Sequence, residues 1–169
     1  MRKRLTRVYN TAETLGEDDY RYARPKLITF ALPSLYTFSE DGDAEMAALK
    51  KLLPAARKIL EANGIRGGVY VPEMTTRSYQ DIGGMGFKHH AHVHMVAVAP
   101  LIHKTKLKEF CEILMPLGLG RINYKAPRGK GSKAKVARYI SKYLTKDGRV
   151  CASFGIMRNT RELPGKTPG

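Results

Sequence analysis

The chain has 169 residues, with 30 Lys and Arg against 15 Asp and Glu, a formal net charge of +15. That length suits one domain, and no apolar run reaches the roughly 20 residues of a membrane span. Two cysteines, Cys111 and Cys151, are too few for a disulfide framework. The basic start MRKRLTRVYN has no apolar core behind it and does not read as a secretory leader, so a reducing compartment, the cytoplasm, is expected.

Residues 1–25 are charged and weakly patterned, and read as a basic N-terminal arm or irregular edge. KLITFAL, residues 26–32, is a short apolar run stopped by Pro33, a buried strand by length and branching. DAEMAALKKLLPAARKILEANG repeats Met46, Leu49, Leu52 or Leu53, Ala56, Ile59 and Leu60 at helical spacing. Asp43 is its expected N-cap, Gly64 its stop, and Pro54 an expected kink. GGVYVPEMT reads as a second strand, DIGGMG as a glycine-rich loop, and HAHVHMVAV as a third strand that pairs back on the second.

KTKLKEFCEILMPLG presents Leu107, Phe110, Cys111 and Leu114 on one helical face. GRINYKA alternates as a strand, with Ile122, Tyr124 and Ala126 on one side and Arg121, Asn123 and Lys125 on the other. SKAKVARYISKYLTK is a third helix with Ser132 as N-cap and Gly148 beyond its end, and RVCASFGIM a last strand. The tail, residues 158–169, is polar and rich in Pro and Gly and reads as loose. The order β-α-β-β-α-β-α-β predicts an α+β domain: a largely antiparallel five-stranded sheet with helices on its faces.

The basic excess is concentrated. From Gly118 to Lys146 there are nine Lys or Arg and no acid, which raises the local concentration of polyanions. Nucleic acid is the first partner this implies. An anionic membrane is disfavoured because no basic amphipathic helix with an exposed apolar face is present.

KHHAHVHMVAV holds four of the five histidines. In a strand, successive side chains turn to opposite faces, so His90, His92 and His94 share one face and His89 points away. Imidazoles alternating on one face can converge on one metal ion; the other reading is a surface strand with incidental histidines. Glu73, near the end of the partner strand, can complete the shell and admit a harder ion such as Mg2+ or Mn2+, or can simply face water. A structural zinc site is less attractive, since it wants four closed ligands, usually with thiolates.

RYISKYLTK places Tyr139 and Tyr143 four residues apart, neighbours on a helix. Lys142 and Lys146 each follow a tyrosine by three, so the segment reads YxxKYxxK. A tyrosine becomes a useful nucleophile where a metal polarises the electrophile and cations stabilise developing charge; a tyrosine pair packing into a core is the alternative.

Together KLITFAL, HVHMV and YISKYLTK resemble the three motifs of the HUH endonucleases, in particular the rolling-circle replication initiators of phages, plasmids and small DNA viruses. The resemblance spans residues 26–157, and the paired tyrosines resemble the two-tyrosine branch. It implies a ferredoxin/RRM-like fold and metal ligands at His92 and His94, with Glu73 third and His90 in reserve. It implies nucleophiles at Tyr143 and Tyr139, with Lys142 and Lys146 near the phosphate. Nicking and rejoining of single-stranded DNA or an origin hairpin would then pass through a 5′-phosphotyrosine, in a microbial host. Arg121, Asn123, Lys125, Arg128, Lys130 and Lys133 are candidates to grip DNA, mostly at phosphates. No GxxxxGK[ST] loop is present, so a helicase is expected in trans. An HUH transposase or mobilisation relaxase, and a non-catalytic single-strand binding module, are the alternative readings.

Overall fold

The computed structural model describes residues 2–33, 41–78, 87–120, 122–128, 131, 134–139 and 151–158. It is an α+β domain built on a five-stranded sheet in the order β4-β1-β3-β2-β5. The strands are β1 (Lys26–Ala31), β2 (Gly67–Ser78), β3 (Phe87–Val98), β4 (Asn123–Lys125) and β5 (Ala152–Gly155), and every neighbouring pair is antiparallel. The helices are α1 (Arg2–Asp18), α2 (Gly42–Ala62) and α3 (Lys104–Leu114). Residues 134–139 are also helical. The run β1-α2-β2-β3-α3-β4 is a split β-α-β arrangement. Among the described residues, no helix is long and apolar enough to cross a membrane.

The N-terminal segment corrects the expectation of an arm. Residues 2–18 form a helix whose Leu5, Val8, Tyr9 and Ala12 are buried. Those positions are i, i+3, i+4 and i+7, the narrow stripe of an amphipathic helix. Four apolar side chains among many charges are enough when the sheet offers a matching apolar face. Here that face is Val69, Val71, Val96 and Val98.

Helix α2 is capped two residues earlier than expected. Asp41, not Asp43, accepts from the backbone N–H groups of Asp43 and Ala44, at 3.0 and 3.1 Å. Asp43 instead lies in the first turn, where a carboxylate favours the positive end of the helix. The helix runs on through Pro54 to Ala62. It stops at Gly64, whose φ of 94° is the left-handed conformation a side chain disfavours. The predicted third helix is helical over residues 134–139; Ser132 and Gly148 lie outside the described residues, as do the DIGGMG loop and the tail from 159.

Alternation sorts the sheet into two faces. Ala91, Val93, Met95 and Ala97 of β3, with Ile28 and Phe30 of β1, pack with Leu49, Leu53, Ala56 and Leu60 of α2 and Phe110 and Leu114 of α3. The opposite face carries Val96 and Val98, covered by α1 and by Val136 of the helical residues 134–139. His92 and His94 fall on this second face because they are in phase with Val96 and Val98.

Candidate metal centre

The register of three strands builds the site. Across β2 and β3, Glu73 faces His92 and Val71 faces His94. Across β1 and β3, Thr29 faces His94. Opposed residues of an antiparallel pair share a face, so Glu73, His92, His94 and Thr29 project together.

Glu73 Oε2 lies 2.9 Å from His92 Nε2 and 2.9 Å from His94 Nε2. One ligand atom from each residue falls within 4.8 Å of the others. Glu73 and His94 are buried and His92 is half-buried. Among the described residues this is the group of His, Cys, Asp or Glu side chains that could hold a metal ion.

The outer nitrogens of both histidines are engaged. His92 Nδ1 lies 3.2 Å from the carbonyl of His90. His94 Nδ1 lies 3.3 Å from Thr29 Oγ1 and 3.2 Å from the Tyr139 hydroxyl, whose ring meets the imidazole edge to face. Holding Nδ1 fixes each ring so that Nε2 points at the centre, the arrangement in which ligating histidines are oriented by outer partners. A hydroxyl can donate to Nδ1 or accept from it, so Thr29 and Tyr139 satisfy either tautomer of His94.

Burial, with His92 beside it, holds His94 below the usual imidazole range despite the opposing hydrogen bond to Glu73. That favours the neutral ring, the form that ligates. One carboxylate oxygen and two imidazole nitrogens, preset by their outer contacts, fit a divalent ion of the first transition row or a hard ion that accepts mixed N and O donors. A metal site with these residues as ligands therefore passes on donor chemistry and on ring orientation alike.

His90 does not join the group. Its Nε2 lies 3.1 Å from the Leu32 carbonyl, just past the end of β1, and its ring stacks 5.8 Å from that of His92. His89 points away, its Nδ1 lying 3.0 Å from Thr76 Oγ1. Tyr139 reaches the centre from the outer side of His94 and not from the side where the three donors converge. Tyr143, Lys142 and Lys146 lie outside the described residues.

Of the proposed nucleic-acid contacts, Asn123, Lys125 and Arg128 are exposed, while Arg121, Lys130 and Lys133 lie outside the described residues. Asn123 faces Thr29 across the edge of β1 and Lys125 faces Leu27, which puts both on the face of the metal centre. Thr29 was not foreseen. KLITFAL reads as an apolar strand, and only its pairing with β3 reveals that its single hydroxyl meets a histidine.

Comparison with protein-family models, with curated proteins and with solved structures yields no match for this chain.

Proposed function

We propose that the protein is a metal-dependent endonuclease that nicks and rejoins single-stranded DNA through a tyrosine, in the manner of the HUH replication initiators its motifs resemble. The observation that carries this reading is the Glu73–His92–His94 group with a tyrosine hydroxyl against the outer nitrogen of His94. In the sequence, Tyr143 follows Tyr139 by four residues.

Glu73, His92 and His94 would hold Mn2+ or Mg2+. When bound, such an ion supplies Lewis-acid polarisation of a phosphoryl oxygen. Tyr143 is assigned the attack, because the Tyr139 hydroxyl already serves His94. The Tyr143 oxygen forms a bond to phosphorus, the bond from phosphorus to the 3′ oxygen breaks, and the tyrosine's proton ends on the released 3′-hydroxyl. The product is a 5′-phosphotyrosine ester. Attack by a 3′-hydroxyl reverses the step and joins strands with no nucleotide triphosphate. Lys142 and Lys146 would offset charge on the phosphate, and Asn123, Lys125 and Arg128 would position the strand.

The test is a denaturing gel after mixing the protein, Mn2+ and single-stranded oligonucleotides that carry candidate origins. A protein–DNA band that survives denaturation, absent in Tyr143→Phe and with chelator, is the expected result. Salt-sensitive binding with no such band for any sequence would leave a binding module and sink the nicking reaction. A transposase or relaxase would give the same band, and a dimeric mass in solution would point to the transposase.

A further inference from the structure

The β5 edge of the sheet carries a groove of about 440 Å³ that the metal centre does not use. Its lining includes Arg4 and Arg7 of α1, Cys151 and Ser153 at β5, and Met157 and Arg158 just beyond. Three guanidiniums and no carboxylate face it among the described residues.

Two of the three are tethered to the sheet edge. Arg4 donates from one terminal nitrogen to the Cys151 carbonyl at 2.5 Å, and Arg158 donates from Nε to the Ser153 carbonyl at 3.1 Å. Those carbonyls are two residues apart, roughly 7 Å along an extended chain. The edge strand thus sets the separation of two planar forks, a spacing comparable to the phosphate repeat of an extended single strand. Each fork keeps donors beyond its tether, in the geometry that takes phosphate bidentately.

The charge pattern of α1 points the same way. Arg2, Lys3, Arg4 and Arg7 crowd its first turns, which hold no acid, while Glu17 and Asp18 close it. This opposes the helix dipole at both ends. A sequence choice that works against its own local structure is the kind found where function demands it.

Val69 of the groove faces Ser153 across β2 and β5. Glu73 lies four residues further along β2, on the same face, about 13 Å away. The groove and the metal centre thus belong to one side of the sheet, separated by a distance that a few nucleotides of extended strand would span.

We infer that this groove is a phosphate-backbone site for single-stranded nucleic acid, with Arg4 and Arg158 on neighbouring phosphates and Arg7 beside them. The nature of the ligand rests on the DNA-cleaving reading above. The competing account is that the arginines only block the open edge of β5 against pairing with another chain.

The experiment is fluorescence anisotropy of a labelled single-stranded oligonucleotide with the full chain, in chelator, over a range of salt. Each phosphate contact contributes about −0.7 to the slope of log affinity against log salt for single strands. The double variant Arg4→Gln/Arg158→Gln is expected to lower the size of that slope by about 1.4 and the affinity by about tenfold. An unchanged slope in a variant with an unchanged melting temperature overturns the proposal. If the double variant does not fold, Arg158→Gln alone carries the test at about half the slope change. Arginine-dependent binding to phosphatidylserine vesicles without oligonucleotide binding would also overturn it. The covalent adduct with an unaltered slope sinks the groove alone; an arginine-dependent slope with no adduct sinks the nicking reaction alone.

Discussion

Glu73 and His92 stand directly opposite each other in the β2–β3 hairpin, with Oε2 2.9 Å from Nε2. The hairpin is long: pairing runs without a break from Gly67 with Val98 to Ser78 with Phe87. A carboxylate and an imidazole 19 residues apart in sequence are therefore brought together by register alone, with no loop needed to bend one towards the other.

This opposition predicts that Glu73 is a metal ligand whose loss is felt in affinity before fold. Glu73→Gln keeps the volume and one oxygen but removes the charge. Outer-shell substitutions cost about 10–100-fold in metal affinity, so Glu73→Gln is expected to exceed that range for Mn2+ by titration calorimetry. An affinity equal to that of the unaltered protein would remove Glu73 from the site.

Thr29 and Tyr139 should act through His94. Thr29→Val and Tyr139→Phe are each expected to weaken Mn2+ binding by about 10–100-fold, with cleavage restored at high Mn2+. Tyr143→Phe should do the opposite, leaving Mn2+ affinity unchanged while abolishing the covalent adduct at any metal concentration. If Tyr139→Phe abolishes the adduct at saturating metal with unaltered affinity, Tyr139 is the nucleophile instead.

Helix α1 is predicted to be part of the folding unit. Leu5 is 3% exposed and packs with Val8 against the β2–β3 valines. Leu5→Ala should cost about 2–5 kcal/mol of unfolding free energy, read from the urea midpoint. A change under about 0.5 kcal/mol, the range of surface substitutions, would return residues 2–18 to the status of an arm.

Lys26 makes stability depend on pH. Its side chain is buried at the start of β1 and donates to the carbonyls of Arg21, at 3.0 Å, and Arg24. Burial, with Arg24 nearby, pushes it down to about 8 from 10.5. Below the lower value the lysine is charged in both folded and unfolded chains, and the fold carries the cost of burying that charge. Between the two values the unfolded chain binds more protons, so stability rises with pH across that window. The urea midpoint should increase from about pH 7.5 to about pH 9.5, and Lys26→Met should flatten the rise. A midpoint that falls over this range in the unaltered protein, yet not in Lys26→Met, would reverse the assignment.

Much of the architecture was legible in the chain because period and punctuation are local. Length and branching mark KLITFAL as a strand, and alternation along HAHVHMVAV separates His89 from His92 and His94. Helical spacing and Gly64 mark α2 and its end. The stripe in α1 was hidden for a physical reason: Leu5, Val8, Tyr9 and Ala12 are few among charges, and their burial depends on a valine face contributed by distant strands.

Alternation by itself also put His90 on the same face as His92 and His94, and left Glu73 and His90 as rivals for the third position. Register decided between them, since Glu73 Oε2 meets both Nε2 atoms while His90 Nε2 is taken up by the Leu32 carbonyl where β1 runs out. The amino-acid sequence by itself determined the types of the elements from β1 to α3, the paired histidine face and the basic character. Only the tertiary structure decided the third member of the group that could hold a metal ion, the contacts of Thr29 and Tyr139 with His94, and the tethered arginines at the β5 edge. Periodicity states which way a side chain points along its own strand; what it meets there depends on pairing between segments far apart in the chain, and no single segment encodes that.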